Sequence, residues 1–343
     1  MKKAVVRKFR ETDAEAVVNI FQTCGLIRNE DERERSLYYL RKAATEPKWY
    51  AHHLVAELDG RVVGRVILEA LYHPYSELVN LYVHPDYWGI GVGSSLVQSC
   101  IDIASSLGSL LISSMTDPVG NLPAHRLYSK FGFKPAILGD PSAARGHMWL
   151  FRFSERSYAS EFLKRHPFAE PSVSQSKIEF HGRMLYRMAW TDPQTKEKLT
   201  LYIEGQPSQT LEGTMPRVAG FSFKEEKVML DMLVQELDKT IRQGEVSKFI
   251  VSIWNLGSET LRTTWTASIP EGMELNPPLE PPLSVDVRPS ETNHVQYALA
   301  WPLGISLPDF TTFSTIPATC FYTIKGLAQP LFASAGFERE RQT

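Results

Sequence analysis

The sequence predicts an α/β unit over residues 1–155, an α+β segment over 156–245, a small all-β sandwich over 246–330 and a tail over 331–343. Three observations carry this expectation. Helical and strand periodicities alternate through the first 155 residues, which is the pattern of an α/β unit. After residue 246, short alternating runs are separated by turn residues, the spacing of a small β-sandwich. The length of 343 residues also suits two or three domains of about 150 residues.

Residues 4–9 read as a short strand, and Thr12-Asp13-Ala14-Glu15 as a capping box in which hydroxyl and carboxylate each satisfy an orphan backbone N–H. Val17, Ile20, Phe21 and Cys24 follow at helical spacing, with Gly25 as the stop. A charged helix is expected over 31–44. Strands over 53–57 and 61–71 are joined by an Asp59-Gly60 turn, and 77–83 is a third. A glycine-dense turn leads to a helix with Leu96, Val97, Cys100, Ala104 and Leu107 on one face. A strand over 109–115, a helix over 121–131 and a strand over 147–153 complete the unit.

Beyond it, residues 154–165 suit a helix and 167–176 have linker chemistry. Residues 177–190 and 198–204 form a hairpin across Thr191-Asp192-Pro193. Residues 224–243 read as a long amphipathic helix with Met229, Leu230, Leu233, Val234, Leu237 and Ile241 inward. Strands are expected over 248–254, 261–268, 284–287, 294–301 and 318–324. Trp254, Trp265, Tyr297 and Trp301 lie in these strands as core residues.

The chemistry lies in the turn between residues 83 and 94. A strand, a glycine cluster and a helix in succession suit anion binding: glycines let the backbone approach closely, and the helix N-terminus presents N–H groups and a positive dipole. Taken alone, the cluster is equally a tight strand-to-helix turn.

Leu81-Tyr82-Val83-His84-Pro85-Asp86-Tyr87-Trp88-Gly89-Ile90-Gly91-Val92-Gly93-Ser94-Ser95-Leu96 resembles the acetyl-CoA motif of the GNAT superfamily of N-acetyltransferases. Asn121-Leu122-Pro123-Ala124-His125-Arg126-Leu127-Tyr128-Ser129-Lys130-Phe131-Gly132-Phe133 resembles that family's later motif. The resemblance covers residues 1–155 and implies a mixed-sheet fold there. It also implies acetyl transfer from acetyl-CoA, a co-substrate, to an amine of a small molecule or protein. By this resemblance the backbone of Leu81 and Val83 holds the pantetheine arm and the acetyl carbonyl. The amides of Trp88, Gly89, Ile90, Gly91, Val92 and Gly93 wrap the pyrophosphate, and Asn121 lies beside the pantetheine. Trp88 departs from the family's usual Arg or Gln, a change that recognition through backbone N–H tolerates.

Tyr128 falls at the family's general-acid position, where a phenol can protonate the departing thiolate. Its bland alternative is a helix tyrosine packed on the sheet. Glu77, four residues before Leu81, falls where some members carry a glutamate base. Strict alternation puts Glu77, Val79, Leu81 and Val83 on one face, and a carboxylate among apolar neighbours has a raised pKa. Glu69, His73 and His84 are further candidates, and the resemblance implies that residues 28–33 meet the acceptor. The rival class is a non-catalytic acyl-CoA-binding or interaction protein. Residues 249–257 and 268–273 resemble bacterial immunoglobulin-like modules, which implies a protein partner or self-association through the C-terminal region.

Cys24, Cys100 and Cys320 are scattered and odd in number, which suits a reducing cytoplasm rather than a disulfide framework. No signal peptide or apolar span is expected, so the reading is cytoplasmic with no membrane association. A formal charge of −2 offers no general attraction for nucleic acid. His52-His53 is the only adjacent histidine pair, with no accompanying cysteine or carboxylate cluster, and no metal is expected.

Overall fold

The computed structural model describes residues 4–117, 119–139, 148–205, 216–278, 282–307, 315–324 and 329–339. The chain divides into two compact units: Met1–Met115 with Asn121–Lys134, and Thr116–Gly120 with Pro135–Thr343.

The first unit begins with strand β1 (Val5–Lys8), helix α1 (Ala14–Thr23) and helix α2 (Glu30–Thr45). The expected Thr12–Glu15 capping box is absent, because residues 11–13 form a 3-10 turn and Asp13 makes no side-chain cap bond to α1. Asp13 instead accepts the Arg10 amide at 2.8 Å and is gripped by both terminal nitrogens of Arg7 at 2.7 and 2.9 Å. Its burial favours the neutral acid, but these donors hold the carboxyl below its usual range. The apolar stripe of α1 closes over Leu37, Leu40 and Val55.

Strands β2 (Ala51–Leu58), β3 (Arg61–Tyr72) and β4 (Tyr75–Val83) form an antiparallel meander with β1 at its edge. Helix α3 (Val92–Ser106) follows the glycine turn and leads to β5 (Leu111–Thr116), which runs parallel to β4. The sheet is therefore mixed, as expected. Helix α3 buries Val92, Leu96, Val97, Cys100, Ile101 and Ala104, whereas Leu107 caps the helix and is exposed. Helix α4 (Leu122–Lys130) completes this unit.

The second unit opens with the paired strands β6 (Lys134–Ile137) and β7 (Met148–Phe153), then helix α5 (Tyr158–Arg165). The expected strand start at His147 lies outside the described residues. A nine-stranded and a five-stranded sheet follow. Their inner faces share aromatic contacts: Phe221 with Tyr322, Phe249 with Phe337, and the Trp265 indole N–H donating to the Tyr297 hydroxyl at 2.6 Å.

Two expectations need correction here. Residues 224–243 are not a helix: Arg217–Glu225 and Val228–Glu236 are adjacent antiparallel strands joined at Glu226, whose φ is +50°. Leu230, Met232 and Val234 face the core, while Leu233 is buried on the opposite face with Phe180, Leu185 and Ala219. A strand covered on both sides loses its period of two, and its apolar run imitates a helical stripe. The segment 331–343, read as a tail, contains strand Leu331–Arg339, paired with Thr315–Ile324.

Candidate active site

The site is assembled where β4 leaves β5. Pairing between them runs from Tyr75↔Leu111 to Leu78↔Ser114. Beyond Leu78, strand β4 carries one extra residue against β3: Ile67 pairs with Val79, but Arg65 pairs with Tyr82. Asn80, at φ +55°, takes up the insertion. This overturns the expected alternation. Directly paired residues share a face, so Glu77, Val79 and Tyr82 lie with Glu69, Ile67 and Arg65, while Leu81 and Val83 are no longer on the Glu77 face. Phe21 of α1 confirms the side, touching the Tyr82 ring edge-on at 5.4 Å and lying under the Arg65 guanidinium at 5.2 Å.

Backbone direction alternates as well. The His84 amide donates to Val63 and Tyr82 pairs with Arg65, so the N–H and C=O groups of Leu81 and Val83 point to the other edge, where β5 has departed. The Val83 carbonyl already accepts the Trp88 indole N–H at 2.7 Å. Trp88, 62% exposed, thus pins the glycine turn to the end of β4.

Two residues of that turn require glycine. Gly91 is the N-cap of α3 at φ +95°, with no side chain to cap it, and Gly89 has φ +77°. The first intrahelical bond runs from Ser95 N to Gly91 O. The preceding amides of Val92, Gly93 and Ser94 therefore have no intrahelical acceptor. A Cβ on Gly89 or Gly91 would meet no atom within 4 Å, so the turn faces open space. At Gly93 it would approach Leu127 of α4 to 3.1 Å, so that glycine lets the two helices come close. The turn as built fits a pyrophosphate held by backbone donors.

Asn121 is the N-cap of α4, its side-chain oxygen accepting the Ala124 amide at 3.2 Å, a structural task absent from the sequence reading. Tyr128 is buried on α4, packed on Phe133 at 5.4 Å and hydrogen-bonded to the Ser114 side chain. Burial pushes its phenol up to about 12, only partly offset by Ser114. Glu77 contributes to that rise, which brings base and acid candidates within electrostatic reach of each other.

Glu77 is buried directly opposite Glu69, and its Oε2 has no hydrogen-bond partner. Burial first, and the Glu69 charge second, raise its carboxyl well above the usual range. The other base candidates lie apart. His73 is in the β3–β4 turn, at the end of β4 remote from the glycine turn, and the His84 Nδ1 accepts the Asp86 amide at 3.3 Å. Arg33 is tied to Glu15 at 2.5 Å and Glu30 at 3.2 Å. His53 is pushed down to about 4 by burial and by Arg65. Sequence reading missed Arg65 and Ser114; one sits beside the inserted residue and the other beside the strand divergence, and neither is visible in a linear pattern.

Part of the chain is similar to known proteins. An acetyltransferase of Pectobacterium atrosepticum is 35% identical over 93 residues, covering 27% of this chain and 62% of the relative. A Bacillus subtilis protein, named as a candidate [ribosomal protein bS18]-alanine N-acetyltransferase, is 31% identical over 86 residues, covering 25% and 56%. The chain thus spans less than two thirds of these relatives' length. A solved Thermoplasma acidophilum PaiA N-acetyltransferase in complex with coenzyme A is 18% identical with a TM-score of 0.36, over 45% of this chain and 100% of that one. The acetyltransferase (GNAT) family model matches residues 14–133. The N-terminal part of this chain is a domain of the acetyltransferase (GNAT) family.

Proposed function

We propose that the chain transfers the acetyl group of acetyl-CoA to an amine of a small molecule or protein. The observation that carries this reading is the divergence of β4 from β5 after Leu78, beside an uncapped helix N-terminus at Gly91. A freed strand edge offers Leu81 and Val83 to an extended pantetheine, and the amides from Trp88 to Gly93 offer donors to a pyrophosphate. Asn121, after capping α4, keeps its amide N–H groups for the arm.

The acceptor amine enters on the Glu69–Glu77 face as an ammonium. Its charge favours ionised Glu77, which takes the ammonium proton, and the free amine attacks the thioester carbonyl. As the C–S bond breaks, the Tyr128 hydroxyl donates a hydrogen bond to the departing sulfur, and the second proton shed by the new amide nitrogen leaves through solvent. A phenol near 12 holds its proton throughout the neutral range, so it stabilises the thiolate chiefly as a hydrogen-bond donor. Proximity supplies the rest of the rate, because the amine on the Glu77 face and the thioester on the strand edge meet where β4 leaves β5.

Calorimetric titration of acetyl-CoA into the wild type and a Gly91→Glu, Gly93→Glu variant tests the reading. Binding lost in the variant, with amine-dependent release of CoA in the wild type, supports it. Binding without turnover for amines, polyamines or peptides gives the non-catalytic alternative, which the Trp88–Val83 bond favours by occupying one carbonyl of the edge. No binding at millimolar ligand refutes both acyl-CoA readings and leaves a protein-interaction module seated in the C-terminal half.

A further inference from the structure

A helix end and two turns of the second unit converge on one buried imidazole. His166 follows α5, with its ring tilted against Phe162 at 4.4 Å between centroids. Its Nδ1 lies 3.2 Å from Asp192 Oδ2, in the loop between Arg183–Thr191 and Lys198–Glu204. Asp192 also accepts the amides of Gln194 at 2.8 Å and Thr195 at 3.1 Å. Its other oxygen faces Nδ1 as an acceptor, which fixes the ring proton there.

That tautomer leaves Nε2 with a lone pair. The groups facing it are Glu225 Oε1 at 3.0 Å and Glu197 Oε2 at 3.3 Å, both of them acceptors. A neutral imidazole cannot satisfy three carboxylates with one proton. The nearby cations do not balance them. Arg165 meets Glu225 Oε1 at 2.5 Å but is shared with Glu161 at 3.8 Å, and Lys196 turns to the Pro193 carbonyl at 2.7 Å. Three carboxylates against one guanidinium leave two negative charges, which a divalent cation balances and an imidazolium only halves.

We propose that His166 Nε2, Glu197 and Glu225 bind a divalent transition-metal ion, with Asp192 as the outer carboxylate that orients the imidazole. The three donor groups lie within 4.8 Å of one another. Donors on one ion at bond lengths near 2.1 Å stand about 3.0–3.4 Å apart, which the two Nε2 distances match. A carboxylate on the far nitrogen of a ligating histidine is the usual outer arrangement of such sites. One imidazole and two carboxylates, without sulfur, select ions of the zinc and manganese kind. Tyr158, donating to Glu225 Oε2 at 3.2 Å, and Thr195, donating to Glu197 Oε2 at 3.0 Å, hold the carboxylates in place. The ion joins the end of α5 to two turns distant in sequence. The proposal is independent of acetyl transfer, since none of its ligands belongs to the first unit.

The test is calorimetric titration of ZnCl2, and separately MnCl2, into the full chain after chelator treatment. One ion per chain is expected, with a raised melting temperature. Glu197→Gln should weaken binding by about 10- to 100-fold, with acetyl-CoA affinity unchanged. In the unaltered protein, nitrogen NMR of His166 gives a reading that needs no variant: the Nε2 resonance should shift on zinc addition while Nδ1 stays protonated. No saturable binding at millimolar metal overturns the proposal. So does binding equally tight in Glu197→Gln and His166→Asn, or a ring carrying both protons with zinc in excess.

Discussion

At the scale of single residues, the site rests on two groups whose burial sets their chemistry. Tyr128→Phe removes the proposed donor to sulfur while keeping the ring on Phe133. It should lower kcat by roughly 10²- to 10³-fold with little change in KM for acetyl-CoA, as read in steady-state kinetics. Glu77 yields a pH prediction with a definite sign. Its carboxyl must be ionised to act as base, and burial with Glu69 raises it, so kcat/KM should climb with pH and Glu77→Gln should flatten that limb. Stability responds in the opposite direction. A raised folded-state value means that the folded chain holds the proton longer than the unfolded one. Glu77 therefore weakens the fold as pH rises above its ordinary value of 4.5. Glu77→Gln should then raise the melting temperature at pH 7 and leave it nearly unchanged at pH 4.

At the scale of elements, two glycines decide what the backbone can do, one by its φ and one by a close approach. Gly91→Ala places a Cβ at φ +95° without a clash. It should cost about 1–2 kcal/mol of left-handed strain, seen in denaturant unfolding, and should loosen acetyl-CoA. In the second unit, a Cβ on Gly336 would come within 2.6 Å of the Arg217 guanidinium, which is ion-paired to Glu204 and Glu236. Gly336→Ala should therefore destabilise by more than an ordinary surface change, about 1–3 kcal/mol, because the displaced charge has nowhere polar to go. In an Arg217→Met, Gly336→Ala double variant the two costs should not add, since the clash is gone while Glu204 and Glu236 keep only Arg183 as a guanidinium partner.

At the scale of the whole molecule, the three thiols report whether both units are intact. Cys100 and Cys320 are buried, each pushed up to about 12 by burial, while Cys24 is half-buried and less perturbed. A native chain should present one thiol to Ellman's reagent at a slow rate, and the denatured chain three. Two reactive thiols under native conditions would mean that one unit opens. Among the described residues no helix is long and apolar enough to cross a membrane.

The sequence by itself determined the helices and most strands of the first 155 residues, though not the strand Lys134–Ile137, and the residue types of the candidate site. Glycine spacing, helix periodicity and the two motifs are local properties of the chain. It could not reveal that Asn80 adds a residue to β4, because the insertion exists only relative to the register on β3. Nor could it separate strand from helix at residues 224–243, where a hairpin carrying Phe180 covers the second face and erases the alternation. The same reason hid the His166 cluster: its ligands come from the end of α5, a loop and a strand end, and only the packing of the sheet brings them together. Local preference is written in neighbouring residues, whereas pairing register and convergence are settled by contacts between segments far apart in the chain.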